Sequence, residues 1–416
     1  MKLTPVLQAV AAFSLAAVTS AAASSAPIMA QYWPAYNSET QGPIEVPFEY
    51  ADIAYYFLTV TTPTGFDLPS DGSQSASDIA PFVKAAKKAG SKPVFSIGGW
   101  DGSIYFSNLT DTEEQRETFV KQVEEFMEKY EFEGVDLDWE YPGSQGIGCN
   151  SISSSDSANF LELLKLLRKK LGSKKLITAA VSTSGLIGEN GEVLSDFSPY
   201  GEYLDYLNLM TYDVSGSWSE TTGPNSPLRT CLSDTSVEAA VKLWTSRGFP
   251  ASKILLGIPS YAISFTTTHS SLIKQYIRNG KWTSVLYQEW NGVVPMGAEG
   301  DSNASVTDVC GTTTEAYNGQ WQYSQLISEG ILSSDGKTGL NGFKRRFDSC
   351  SQTPFLFNPD KKQLIAYDDA QSAGVKAAWA KKNGLAGVMI FDSTGFTTDV
   401  LETIESNLYS RTSRRY

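Results

Sequence analysis

Short runs of β-branched and apolar residues alternate along most of the chain with stretches whose apolar positions recur every three to four residues. The short runs predict strands at 28–32, 53–59, 93–97, 134–140, 176–182, 206–212, 254–259 and 387–391. Between them, Phe119, Val123, Phe126 and Tyr130 share one face of a helix predicted over 113–130. Phe160, Leu163, Leu164 and Leu167 do the same over 158–171. Asp111, with Glu114 three residues on, resembles the capping start of the first helix. Repeated β/α units of this kind predict an α/β fold, a closed (β/α)8 TIM barrel. An open doubly wound sheet would carry a Gly-rich phosphate loop after its first strand, and none is seen.

One stretch breaks the rhythm. From 263 to 358 the pattern turns to aromatic, glycine and polar residues without a β/α repeat. That is too long for an ordinary loop, so a small inserted domain is expected between strand seven and the last β/α unit. The expected division is a leader at 1–24, barrel at 27–262, insertion at 263–360 and the rest of the barrel at 361–410. The leader reads as a signal peptide: Met1-Lys2, an apolar run at 6–18, then small residues around 21–26. Ser14 interrupts that run, which is also short for a membrane anchor, and no later segment could cross a bilayer. A secreted, extracellular protein is therefore expected.

Export gives two further features a meaning. The four cysteines, Cys149, Cys231, Cys310 and Cys350, can form two disulfides in any of three pairings. Cys310 and Cys350 both fall in the insertion, which favours a bridge between them. Asn108-Leu109-Thr110 and Asn303-Ala304-Ser305 are glycosylation sequons.

Charge narrows the partners. A net charge of −13 without basic clusters argues against nucleic acid, whereas an uncharged polysaccharide is indifferent to it. His269 is the only histidine, which nearly excludes His-based triads and multi-His metal sites, so no metal or other cofactor is expected.

The most informative segment is Phe132-Glu133-Gly134-Val135-Asp136-Leu137-Asp138-Trp139-Glu140-Tyr141-Pro142. Strand parity puts Asp136, Asp138 and Glu140 on one face and Val135, Leu137 and Trp139 on the other. Three acids on the inner face of a barrel strand resist ionising together, which raises at least one pKa toward the range a general acid needs. Glu140 lies at the C-terminal end, where barrel enzymes place their chemistry.

The segment resembles the D-G-x-D-x-D-x-E signature of glycoside hydrolase family 18, the chitinases and their relatives. Ser96-Ile97-Gly98-Gly99-Trp100 is similar to that family's third-strand motif, and Asn208-Leu209-Met210-Thr211-Tyr212-Asp213 to its sixth. Leu256-Gly257-Ile258-Pro259-Ser260-Tyr261 matches the seventh, and Tyr367-Asp368-Asp369 with Ser372 and Lys376 leads into the eighth. The insertion sits where many members carry an α+β domain. The resemblance implies retaining, substrate-assisted cleavage of β-1,4 N-acetylglucosamine linkages in chitin or chitooligosaccharides. In it Glu140 is the proton donor, Asp138 orients the substrate's acetamido group, Asp136 shares a proton with Asp138, and Tyr212 binds the acetamido oxygen. Met210 and Asp213 would line the same subsite. Trp100, Tyr141, Tyr261, Tyr32, Phe57 and Trp218 are candidates to stack on sugar rings, and the protein is expected to act as a monomer.

Three positions depart from the family's pattern. Glu133 replaces the first Asp, Phe391 stands where most members have the tryptophan under the sugar, and Tyr261-Ala262-Ile263 replaces Tyr-Gly-Arg. Two alternatives follow: a lectin-like chitooligosaccharide-binding protein with weak turnover, and an endo-β-N-acetylglucosaminidase acting on N-glycans.

Overall fold

The computed structural model describes residues 26–277, 281–284 and 286–409; the expected leader at 1–24 lies outside them. Eight parallel strands form the centre: β1 (Ile28–Pro34), β2 (Ile53–Thr62), β3 (Lys92–Gly98), β4 (Gly134–Asp138), β5 (Leu176–Val181), β6 (Tyr206–Leu209), β7 (Ile254–Pro259) and β8 (Gly387–Phe391). Each pairs with the next in order, and β8 pairs back onto β1 in the register Ile28–Gly387, so the sheet closes. Helices follow the strands on the outside, as expected for a (β/α)8 barrel.

Alternation along each strand divides the core in two. Ala30, Tyr32, Tyr55, Phe57, Val94, Leu255 and Met389 fill the barrel interior. Val135, Leu137, Ile177, Leu207, Leu256 and Val388 point outward and join the layer beneath the helices. Trp139 has the outward parity too, and its ring stacks on Phe106 at 5.1 Å.

The helix predicted over 113–130 spans Glu113–Tyr130, and its cap sits one residue later than Asp111. Thr112 is the extended N-cap: its Oγ1 accepts from the Gln115 N–H, and Gln115 Oε1 accepts from the Thr112 N–H. Strands four and six also end earlier than their apolar pattern, at Asp138 and Leu209. Beyond those points the backbone finds partners outside the ladder. The Glu140 N–H donates to Ser103 Oγ at 3.0 Å, and the Thr211 N–H to the Leu209 carbonyl at 2.8 Å. Glu140 and Tyr212 therefore sit on loops at the C-terminal mouth.

After β7 the chain enters a five-stranded antiparallel sheet ordered Gln320–Gln322, Tyr261–Thr266, Gln363–Ala366, Thr353–Asn358, Lys344–Asp348. Ile263 belongs to it, buried with Phe265, Phe355 and Leu364, so where the family carries a charge this chain packs apolar core.

The disulfides correct an expectation. Cys310 and Cys350 do not bridge each other; the pairs are Cys149–Cys310 and Cys231–Cys350. Cys350 follows the strand Lys344–Asp348, and the Leu228 N–H donates to the neighbouring Ser351 carbonyl, which brings Cys350 against the loop carrying Cys231. Both bridges tie the insertion to the barrel rather than to itself.

Candidate active site

Asp136 is fully buried at the centre of β4, and both its oxygens are saturated. Oδ2 accepts from the Tyr32 and Ser96 hydroxyls at 2.8 Å each. Oδ1 accepts from Thr178 Oγ1 at 2.6 Å and Asn208 Nδ2 at 3.1 Å. These residues come from β1, β3, β5 and β6, each at the inward position of its strand. A carboxylate offers about four lone-pair sites, and here all are occupied. Burial pushes the Asp136 carboxyl above its usual range while the four donors oppose that shift. The four donors that cradle Asp136 are neutral groups, and each favours its ionised form against the burial. Glu133 has the outward parity of Val135 and is not among these partners, so its substitution leaves the cradle untouched.

Asp138, two residues on, has the opposite situation. It is 4% exposed, yet its Oδ1 is buried without a hydrogen-bond partner among the described residues. Burial holds its carboxyl well above the ordinary range, and the charges of Glu140 and Asp136 add to that. A buried acceptor with nothing to accept from is costly in a folded protein. Such a group points to a ligand donor.

Glu140 is also buried, with a backbone pinned from both sides. Ser103 Oγ accepts its N–H, and Asn150 Nδ2 donates to its carbonyl at 3.0 Å. Ser103 Oγ donates in turn to the Asp138 carbonyl at 2.9 Å, which fixes the two acids relative to each other. Burial pushes the Glu140 carboxyl up to about 7; a hydrogen bond with Tyr141 pulls against this, and Asp213 and Asp101 reinforce it. A carboxyl near 7 can hold a proton at neutral pH and release it on demand.

Tyr212 leaves β6 at the same mouth, half-buried, its ring stacked on Phe391 at 5.8 Å. Gly257 makes its position possible: a Cβ there would come within 2.8 Å of Tyr212 Cε1. The preceding carbonyl, on Thr211, accepts from Ser226 Oγ, which itself accepts from the buried Lys376 ammonium paired with Asp368 at 2.6 Å. Asp213 accepts from the Tyr261 hydroxyl at 2.6 Å, and its own N–H donates to Asn225. Tyr212, Asp213, Met210, Tyr141, Glu140 and Asp138 all line one cleft of about 1170 Å³. That exceeds the roughly 300–1,000 Å³ of a drug-sized ligand site, so several sugar rings fit.

The aromatic candidates separate by exposure. Trp100 and Trp218, at 50% and 64% exposed, offer open faces along the cleft. Phe391 forms part of its floor, boxed by Tyr32, Phe57 and Tyr212. Tyr32, Phe57 and Tyr261 are 1%, 7% and 7% exposed, and of these Tyr32 and Phe57 reach the cleft lining. Tyr32 also serves the Asp136 cradle, Phe57 packs in the barrel interior, and the Tyr261 hydroxyl donates to Asp213. Tyr36, 40% exposed with its ring edge toward Phe57, lines the cleft and was missed. It lies in the 3-10 turn Ala35–Asn37 that follows β1, where strand parity no longer orders the side chains. Inward parity on strand five would have reached Thr178.

Residues 28–395 match the family described as glycosyl hydrolases family 18. A chitinase-like effector of Moniliophthora roreri is 36% identical over 396 residues, 93% of this chain and 94% of that one. Chitinase A1 of Niallia circulans is 30% identical over 75% of this chain and 41% of its own length. Among solved structures, a chitinase from Rhizomucor miehei superposes with a TM-score of 0.80 at 28% identity, covering 91% of this chain and 99% of that one.

Proposed function

The chain belongs to glycosyl hydrolases family 18, and from that premise we propose that it is a secreted hydrolase cleaving β-1,4 N-acetylglucosamine linkages by retaining, substrate-assisted catalysis. One observation carries the reading: the buried, unpartnered Asp138 Oδ1 lies in the same cleft as Tyr212 and a Glu140 carboxyl poised near 7. An acetamido group supplies what that set lacks, an N–H donor for Asp138 and a carbonyl oxygen for the Tyr212 hydroxyl.

The chemistry follows from those complements. Protonated Glu140 gives its proton to the glycosidic oxygen as the bond to C1 breaks. The acetamido carbonyl oxygen, held in line by Tyr212 and Asp138, attacks C1 from the opposite face and forms an oxazolinium ring. The positive charge developing on the ring nitrogen favours an ionised Asp138, which offsets it against the burial that raises its carboxyl, and the four donors of the cradle favour an ionised Asp136. Glu140, now a carboxylate, takes a proton from water as that water adds to C1 and reopens the ring. Two inversions leave the anomeric configuration unchanged.

A second reading, tight binding with slow turnover, draws on Phe391. A phenyl ring in the floor covers less of a sugar face than an indole and has no N–H to donate. Two relatives, at 36% and 35% identity, are named chitinase-like effectors. Incubating the wild type and Glu140→Gln with chitooligosaccharides and with an N-glycoprotein separates the readings. Release of short oligomers by the wild type alone supports the hydrolase. Binding without release by both proteins supports the second reading, and loss of N-glycan alone points to an endo-β-N-acetylglucosaminidase.

A further inference from the structure

Residues 302–317 leave the insertion through a closed neck. The Asp301 carboxylate gathers the N–H groups of Gly297, Asn318 and Gly319 at 2.7–3.1 Å, which holds the two ends of the excursion together. Beyond the neck the segment folds back as a hairpin, Val306–Thr307 against Thr313–Thr314. Cys310 sits at its tip, in a turn whose Asp308 carboxylate accepts the N–H groups of Cys310 and Thr312. Eight residues, 302–309, separate neck from tip, a reach of up to about 30 Å when extended.

The tip is bonded to Cys149, in the loop after β4. The insertion begins after β7, and in the closed ring β4 stands three strands from β7, almost on the opposite side. The Cys149–Cys310 bond therefore joins the insertion to a rim of the mouth three strands away. The hairpin's neighbours agree with that placement. Val309 lines the cleft with Trp100, Trp218 and Glu140, and the Asp308 charge is felt by Asp101, which follows β3 directly opposite β7.

Packing does not hold this segment in place. Val306 and Val309 are 65% and 56% exposed, and residues 302–307 are exposed throughout. Asp101 feels two like charges, Asp308 from this segment and Asp71, and the Asp308–Asp101 repulsion favours separation. The covalent bond is what keeps the segment down.

We propose that residues 302–317 form a strap, bolted by Cys149–Cys310, which turns the cleft into a tunnel that a polysaccharide enters only by a free end. The inference rests on the hydrolase reading above and defines its substrate: chains with accessible ends and short oligomers, not the interior of a long chain. An open cleft accepts a chain side-on, whereas a bolted roof requires threading.

The test uses two soluble substrates, a hexamer of N-acetylglucosamine with free ends and the same hexamer joined at both ends to large dextrans. The wild type is expected to cleave the doubly capped hexamer at least tenfold more slowly than the free one. Cys149→Ser with Cys310→Ser is expected to keep the free-hexamer rate within about twofold and to bring the capped rate within threefold of it. Excision of 304–315, which leaves the Asp301 neck closed, gives the same readout should the double variant misfold. Equal wild-type rates on the two substrates overturn the strap alone. An opened variant that still refuses the capped hexamer does the same. Failure of the wild type on both substrates overturns the hydrolase reading, and the strap's role with it.

Discussion

The Tyr32 hydroxyl donates to Asp136 at 2.8 Å while accepting from the Asn208 amide at 2.8 Å, so its proton can lie only toward the carboxylate. Asn208 Oδ1 in turn faces the Tyr55 hydroxyl at 3.4 Å, which fixes the amide's orientation. The acid at the base of the catalytic strand is therefore held by a network in which each proton has a place. Tyr32→Phe removes one donor from a buried charged acceptor, a loss of about 1.5–3 kcal/mol. Urea denaturation at neutral pH is expected to register that decrease with an unchanged m-value.

Phe391 sets the floor under the sugar. Phe391→Trp adds stacking area and an N–H, worth about 0.5–1.5 kcal/mol for an aromatic contact and so roughly 2–10-fold in rate or affinity. Initial rates on chitotetraose are expected to rise by that factor. An unchanged kcat/KM would mean the floor does not limit turnover.

Glu140 should set the alkaline limb of activity. Its carboxyl titrates at about 7, and only the protonated form can serve as acid in the first step. The rate on a chitooligosaccharide is therefore expected to fall about tenfold per pH unit above 7. A pH–rate profile from 4 to 9 reads this directly.

The same group links stability to pH. The folded Glu140 keeps its proton up to about 7, whereas an unfolded Glu releases it near 4.3. The folded state thus binds more protons across that window, and its stability falls as pH rises through it, by about 4 kcal/mol in all. Gln carries no such charge. Glu140→Gln should match the wild type in melting temperature near pH 4 and exceed it above pH 7, by scanning calorimetry.

The strands were legible because a barrel strand is short, apolar and flanked by turn residues, and inward parity alone aligned Asp136, Asp138 and Glu140. Strand parity also separated Trp139, which packs under a helix, from its acidic neighbours. Parity does not say how deep an inward ring lies. Tyr32 and Trp100 both looked like sugar platforms, yet one is 1% exposed and the other 50%. Nor does sequence give contacts between distant strands: Ser96, Thr178 and Asn208 converge on Asp136 from 40, 42 and 72 residues away. The disulfides follow the same rule. Cys310 lies nearer Cys350 along the chain, but its partner is set by where its hairpin lands, 161 residues back at Cys149.

The central claim is that the nucleophile is the substrate's own acetamido carbonyl, with Glu140 as acid and Asp138 and Tyr212 as its holders. Its most direct test is the hydrolysis rate of chitooligosaccharides bearing N-acetyl, N-fluoroacetyl and N-trifluoroacetyl groups at the cleavage site. Fluorine withdraws electrons from the carbonyl oxygen, so the account predicts a fall of at least tenfold with each step of the series. A rate indifferent to fluorination, or no hydrolysis of any of the three, would contradict it.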